Sequence, residues 1–439
     1  MKSIQENMVT LHVHSDISIL PVCTSFVENA ARVFGLAQKE VLALTLAAEE
    51  ILSYLFQKTP SGKTFEISCF GGGYYVRVDF SFSTKDFDEH AFNLTARVSP
   101  EDDESLKEMG LLIASRLVDH LQHPVVPGEG FRLSVIKEKT YPPLEDAPPI
   151  KVHAMDEYDL KKPGAEELKL FVRLLNENCT SSPLPQWLRF PGKVVDMVKS
   201  GEYQAAIATG NTGQLGGGIL WHGVGTKIIE CFGPYLFGQD TESPMATDLL
   251  ETCIGAVAKT QAVGIVNRFS TDDFPPAHFE ILGALTVSHM DGSRAPRTAY
   301  FRLMHEDPGS SVWAHPDLLG FLEKEYSRLV LPREILPAGN QGESQNPHSV
   351  LVAEYDRGLE QVVLRPLRPG LDAEQNLDDH LTLFKSENIP NIYFAMDLGQ
   401  PWQAQFTPSL LKAGLTPQLI LPYGIDGDVV IFQLPGGSQ

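Results

Sequence analysis

Few side chains in this sequence stand at spacings that chemistry uses. His12 and His14, in the run His12-Val13-His14-Ser15-Asp16, would share one face of a strand, an arrangement a metal ion favours. A working site would need more His and acidic ligands on alternating β/α elements. That alternation is absent, so no metal site is expected. His120 and His123 are three apart and read as one helix end beside Asp119, where cations suit the dipole. The glycine-rich run 213–218 joins two strands and opens no helix, so it reads as a turn rather than a phosphate loop. The acidic stretch 101–104 reads as a solvated loop. A more specific element is P-x-x-x-G-x-D, at Pro234, Gly238 and Asp240 and again at Pro366, Gly370 and Asp372. In each case it closes a strand and leads into a helix, where backbone N–H groups and an N-cap carboxylate gather.

Hydrophobic periodicity supplies the elements that hold these residues. Residues 8–15 alternate as a strand. Residues 27–58 read as two helices broken at Gly35, the second with Val41, Leu44, Ala48, Ile51, Leu52 and Leu55 at helical spacing. Strands at 65–70 and 74–82 join through Gly71-Gly72-Gly73. A polar loop at 99–105, a helix at 106–121 and a strand at 130–137 complete a domain at 1–140. Four prolines in 141–151 mark a linker. Next come a helix at 166–178, strands at 203–209, 218–221 and 227–237, and a helix at 244–259. A strand at 263–269, a short helix at 276–282 and strands near 286–289 and 298–304 follow. The order returns with strands at 349–355 and 361–367, a helix at 373–384, a strand at 391–398, a short helix at 408–413, and strands at 418–422 and 429–434. The two P-x-x-x-G-x-D elements lie 132 residues apart, and the pairs Gly283/Phe301 and Gly414/Phe432 lie 131 apart. Nearly equal offsets with matching element order read as an internal repeat, 152–305 and 306–439.

Of 439 residues 43% are hydrophobic, enough for substantial cores in about two to four domains. The net charge of −21 opposes electrostatically driven binding to nucleic acid or an anionic membrane. The five cysteines are widely spaced with no C-x-x-C, a reduced intracellular pattern. The N-terminal stretch has no apolar signal-peptide core, and no run approaches a membrane span. A cytoplasmic α+β protein is expected.

The helix at 41–58 with the segment 108–121 resembles the GHKL ATPase superfamily, in particular the bacterial anti-sigma-factor serine kinases. The resemblance implies an α/β sandwich over 1–140 that binds ATP and Mg²⁺. It makes Glu50 the catalytic base or water positioner, Asp79 the adenine reader, and Gly110 and Leu111 the end of the phosphate-binding glycine box. Tyr54 stands where that family has a Mg²⁺-binding Asn, Ser81 where it has Gly, and Glu108 at the first Gly of the box. Other registers of the helix box give Glu49 with Ser53, or Leu46 with Glu50.

Three antiparallel strands, a loop into a helix, then strand–helix–strand–strand resembles the GNAT acyltransferase fold, complete at 152–305 and trimmed at 306–439. The resemblance implies that acetyl-CoA pyrophosphate sits at the loop after the fourth strand. That points to Gly238 and Gln239 in the first copy, and to Arg365, Arg368 and Gly370 in the second. It implies Glu230 as a base for the amine, and Tyr393 or Tyr423 as proton donor to a thiolate. The expected function is a regulatory protein: a degenerate anti-sigma-kinase-like domain with a protein partner, fused to a ligand-sensing tandem GNAT. The alternatives are an acyl-CoA-dependent N-acyltransferase and an active serine kinase. Relatives of the fold dimerise, which makes a homodimer the assembly to test.

Overall fold

The computed structural model describes the chain except residues 1–6, 61, 83–91, 96–102, 123–124, 127–129, 145–147, 180–183, 226, 241–242, 290–291, 340–345 and 436–439. Contacts divide it into Met1–Tyr141 with His348–Val352, and Pro142–Pro347 with Ala353–Gln439. The fold is mixed α+β. Among the described residues no helix is long and apolar enough to cross a membrane.

The first unit runs β1 (Met8–His14), α1 (Leu20–Val33), α2 (Gln38–Lys58), β2 (Thr64–Gly71), β3 (Tyr75–Phe82), α3 (Asp103–Leu117), β4 (His120–Gln122), β5 (Val125–Val126) and β6 (Gly130–Glu138). The period read in the sequence becomes α2, whose Val41, Leu44, Ala48, Ile51, Leu52 and Leu55 are all buried. Glu40 in its first turn and Lys58 in its last complement the dipole. The sheet order is β1-β2-β3-β6-β4, with β5 on β6. Phe65 of β2 and Phe82 of β3 stack at 6.3 Å, and Phe56 of α2 meets Phe65 edge-on at 5.3 Å. The face carrying Phe65, Ile67, Cys69, Val76, Val78 and Phe80 therefore looks at α2. One expectation is corrected: α3 ends at Leu117, and His120 lies on β4 rather than on a helix, because Asp119 N–H already bonds Ile136 O at 2.9 Å.

The second unit begins with β7 (Asp159–Lys161), α4 (Ala165–Asn178), α5 (Pro191–Ser200), β8 (Tyr203–Thr209), β9 (Leu215–Val224), β10 (Ile228–Leu236), α6 (Met245–Val257), β11 (Gly264–Asn267), β12 (Glu280–Ser288) and β13 (Arg294–Leu303). The sheet order is β12-β13-β11-β10-β9-β8-β7. Only β10 and β11 are parallel, which is why a crossover helix, α6, must join them. They pair from Ile228↔Gly264 to Glu230↔Val266 and then part. The glycine run is corrected too. The turn is Gly210–Gln214, and Gly216, Gly217 and Gly218 lie inside β9. A Cβ on Gly218 would stand 2.6 Å from the Phe171 ring of α4, and one on Gly216 2.7 Å from Met245 of α6. Helices thus close on both faces of a strand that lacks side chains.

β14 (Ser310–Ala314), α7 (Pro316–Leu329) and β15 (Arg333–Pro337) follow, then β16 (Val350–Asp356), β17 (Gln361–Arg368), α8 (Ala373–Ser386), β18 (Asn391–Asp397), α9 (Pro401–Ala404), α10 (Thr407–Lys412), β19 (Thr416–Leu421) and β20 (Val429–Gln433). The second sheet is β16-β17-β18-β20-β19. Its parallel pair, β17 and β18, also separates, after Leu364↔Phe394. The phenylalanine anchors hold equivalent places, Phe301 opposite Val266 and Phe432 opposite Phe394, each beside the parting pair, whereas Gly283 lies inside β12 and Gly414 ahead of β19. The two sheets meet at the outer edge of β12. The Gln433 amide accepts from Thr286 N at 3.0 Å and donates back to Thr286 O, and the Asn391 amide does the same for Ser288 at 2.8 Å each way. Two side-chain amides so cover an edge that would otherwise be unpaired.

Candidate ligand site

An acid in the apolar run Ile228-Ile229-Glu230-Cys231-Phe232 must find a cation, because a lone buried charge is costly. Glu230 is 2% exposed, and the fork of Arg268 grips it from Nε at 2.5 Å and Nη2 at 2.7 Å, with His222 Nε2 at 3.5 Å. Burial alone would raise the carboxyl. Arg268, then the hydrogen bond from His222, outweigh it and hold the pKa down at about 2. A column of rings backs this pair. Tyr203 stacks on His222 at 4.3 Å, His222 on Phe232 at 5.7 Å, and Phe232 on Phe269 at 5.7 Å. Arg268 and Arg297 each lie over the Phe269 ring, at 5.5 and 5.6 Å.

Beside this column, between the two sheets, lies a cavity of about 140 Å³. Its walls come from both: Val266, Leu285 and Ala299 on one side, Val363, Tyr393 and Ile431 on the other, with Arg268, Arg297 and Arg365 at its margin. Tyr393 is 2% exposed. Its hydroxyl and Nη2 of Arg297 are buried with no hydrogen-bond partner among the described residues. Burial raises the Tyr393 pKa and lowers that of Arg297. The structure so brings Tyr393 and the ion pair of Glu230 to one place, although the sequence analysis assigned them to different copies.

The other expected groups are held elsewhere. Gln239 donates to His153 O at 3.2 Å and Phe237 O at 2.8 Å, and accepts from Met155 N at 3.0 Å. Gly238 (φ +63°) lies so close to Val152 that a Cβ would stand 2.8 Å from it. In the second copy Leu371 N bonds Asn346 O at 2.9 Å, just beyond Gly370. Arg368 reaches the Asn346 side-chain oxygen at 2.7 and 3.0 Å, once that amide is turned to accept. Arg365 pairs with Glu354 at 3.1 Å. Tyr423 donates to Asp307, under Lys227 at 4.1 Å and Arg333 at 4.6 Å from its ring; burial, then that carboxylate, push its pKa up to about 12.

In the first unit Gly110 of α3 backs onto Glu50 of α2, leaving no room for a Cβ against Oε2, and Leu111 is buried. Asp79 is not brought to them. It lies opposite Ser68 and Ser134, on the face away from α2, with Arg77 at 3.0 Å. Ser81 shares that face, and Tyr54 is buried in α2. His12 is exposed, 3.9 Å from Glu66, and no cluster of three metal-ligating residues occurs among the described residues. The side chain of Glu108, His123 and the stretch 101–102 lie outside the described residues. All five cysteines are free.

Spacing alone could not reveal Arg268 or Arg297 as site residues. The acid at 230, inside an apolar strand, was the signal for the first. Nothing in the sequence marked the second.

No family model matches the sequence, and no curated protein matches it. Solved structures similar to the chain are GNAT acetyltransferases, over about a third of its length. One is a phosphinothricin acetyltransferase from Sinorhizobium meliloti in complex with acetyl-CoA (14% identity, 33% of this chain and 88% of that one, TM-score 0.27). Another is a GNAT-family acetyltransferase from Staphylococcus aureus (14%, 34% and 100%, 0.27). A third is the aminoglycoside 6'-N-acetyltransferase from Enterococcus faecium (14%, 34% and 99%, 0.26). From β8 to β13 the strands and the helix α6 follow the order expected above, but the short helix expected at 276–282 is only a 3-10 turn at Pro276–His278, and Ile281 and Leu282 already lie in β12.

Proposed function

We propose that this chain is a cytoplasmic regulatory protein whose second unit is a tandem GNAT-like ligand sensor and whose first unit is a degenerate anti-sigma-kinase-like domain that binds a protein partner. One observation carries the sensor reading. In both copies the loop after the fourth strand, where an acetyl-CoA pyrophosphate would sit, is tied to the chain's own preceding segment, through Gln239 to His153 and Met155 and through Leu371 and Arg368 to Asn346. The parting of β10 and β11 is also laced. Asn267 donates to Gly233 O at 2.8 Å and Thr271 to Pro234 O at 2.7 Å, using acceptors a CoA chain would need. Glu230, held well below the ordinary carboxylate range in its pair with Arg268, is disfavoured as a base.

Acetyl-CoA and CoA at millimolar concentration are expected to leave the melting point unchanged, with no acetyl transfer to a panel of amines. A clear rise, which a ligand at 100 times its Kd would produce as about 2.7 kcal/mol, would sink the reading. The N-acyltransferase stays as a second reading on one observation, the unpartnered Tyr393 hydroxyl beside the parting of β17 and β18, which could donate to a thiolate. For the first unit, the support is the order helix–helix–hairpin–helix–strand and the apposition of Gly110 with Glu50. Asp79 on the far face and Tyr54 at the Mg²⁺ position favour a partner-binding role over an active serine kinase. Mg·ATP is accordingly expected to bind weakly if at all. Phosphoryl transfer that disappears in Glu50→Gln would restore the kinase.

A further inference from the structure

We propose that the cavity between the two sheets of the second unit binds a small monocarboxylate of about benzoate size, with its carboxylate on Arg297 and Tyr393. This names the ligand class for the sensing reading and rests on that reading.

Size sets the first limit. An apolar cavity of about 150 Å³ accepts one benzene molecule. At about 140 Å³ this one takes a single ring, or a chain of about six carbons, by the same measure. Val266, Leu285, Val363 and Ile431 supply an apolar wall for that body.

Charge sets the second. Three guanidinium groups border the cavity, and two are already neutralised: Arg268 by Glu230 at 2.5 Å, Arg365 by Glu354 at 3.1 Å. Arg297 has no carboxylate within ion-pair distance among the described residues. Its side chain makes one long hydrogen bond, 3.5 Å to Gln361 Oε1, and rests on the Phe269 ring. Arg297 is therefore the one guanidinium at this cavity without an ion-pair partner among the described residues, with Asp356 acting on it only through space. Nη2 of Arg297 and the hydroxyl of Tyr393 are both donors with no acceptor among the described residues. A buried donor left unmatched is destabilising, most of all when charged.

One monoanion resolves all of this. A carboxylate has two oxygens, enough for a guanidinium N–H and a phenol O–H together, and it cancels a single charge. A neutral ligand would leave the charge uncompensated. An amine would add to it, and a phosphate would bring a second negative charge and no body for the apolar wall. Burial disfavours charge on Arg297, and a bound anion removes that penalty. The two donors come from β13 and β18, so occupancy would draw the two sheets onto one ligand.

Calorimetric titration of the full chain tests this with benzoate and hexanoate against the neutral isosteres benzamide and hexanamide. The acids are expected to bind at least about tenfold more tightly than the amides, as for a charge-assisted pair. Arg297→Met should lose about tenfold or more for the acids and little for the amides. Tyr393→Phe removes one oxygen, keeps the packing, and should weaken the acids several-fold without lowering the melting point. It decides the matter if Arg297→Met does not fold. Equal binding of acids and amides, unchanged affinity in both variants, or no acid binding at millimolar concentration would each overturn the proposal. Equal binding would still leave a sensing cavity of apolar type, whereas acetyl transfer from acetyl-CoA would remove the sensing reading and leave the titration to be judged alone.

Discussion

Replacing Glu230 by Gln keeps the shape, removes the charge, and turns one of the two acceptors that face the Arg268 fork into a donor. The carboxyl ionises at about 2 in the fold and at 4.5 ordinarily. At 1.36 kcal/mol per pH unit the difference is about 3 kcal/mol. Glu230 is 2% exposed, so solvent screening does not reduce this figure. It also falls at the low end of the 3–5 kcal/mol, roughly, that breaking a buried pair costs. The sign follows from linkage. Between the two values the unfolded chain binds the extra proton, so stability rises with pH. The contribution is complete above about 4.5 and disappears as pH falls through about 2. Trp187, Trp221, Trp313 and Trp402 are the four tryptophans, all in the second unit, so their fluorescence follows that unit's unfolding. Denaturant titrations of wild type and Glu230→Gln at pH 7, 5, 4 and 3 should show a gap of about 3 kcal/mol at the first two, narrowing at the last two. A gap that is the same at pH 7 and pH 3 would mean that packing, not charge, holds Glu230, and the electrostatic account would be wrong.

Three further outcomes follow from the geometry. The side chain of Arg333 is fully buried between Asp307 at 2.9 Å and Asp428 at 2.8 Å, so Arg333→Met should destabilise by about 3–5 kcal/mol, read by the same fluorescence; a loss below about 1 kcal/mol would contradict the pairing. Gly218→Ala presses a methyl on Phe171 and should cost about 1–3 kcal/mol, whereas Gly213→Ala, at φ +82° with nothing within 4 Å, should cost about 1; the reverse ranking of melting points would refute the close approach. Gln239→Ala should speed hydrogen exchange at the Met155 amide by about fivefold for the lost bond, and unchanged protection would show that the loop is not tied through this side chain.

Much of the scaffold was legible because period and punctuation are local. The stripe of α2 and the crossover helix α6 came directly from spacing, and the expectation of a repeat rested on glycine, proline and phenylalanine anchors. β14 and β15 were missed because five-residue strands carry too little alternation to stand out from a loop, whereas α7, missed as well, does carry a helical period in Leu318, Leu322, Tyr326 and Leu329. The glycines of β9 have no side chains to alternate, and their strand character depends on Phe171 and Met245 arriving from helices far along the chain. The site was legible only in parts. Glu230 and Tyr393 were picked out for roles the fold family implies. That Glu230 meets Arg268, 38 residues on, is a tertiary fact that no spacing rule encodes. The same holds for the apposition of Arg297 and Tyr393 across two sheets.

The amides of Asn391 and Gln433 reach β12 across 103 and 147 residues of chain. Contacts of such long range form late, because the intervening loop must close before they are rewarded. Although the sequence looks like one unit written twice, the earlier half cannot cover the edge of its own sheet until the later half presents Asn391 and Gln433. The repeat should therefore unfold as one cooperative block rather than as two. A chain divided at 305/306 would release two fragments, one with a bare strand edge and the other with two stranded amides, each prone to pair with copies of itself.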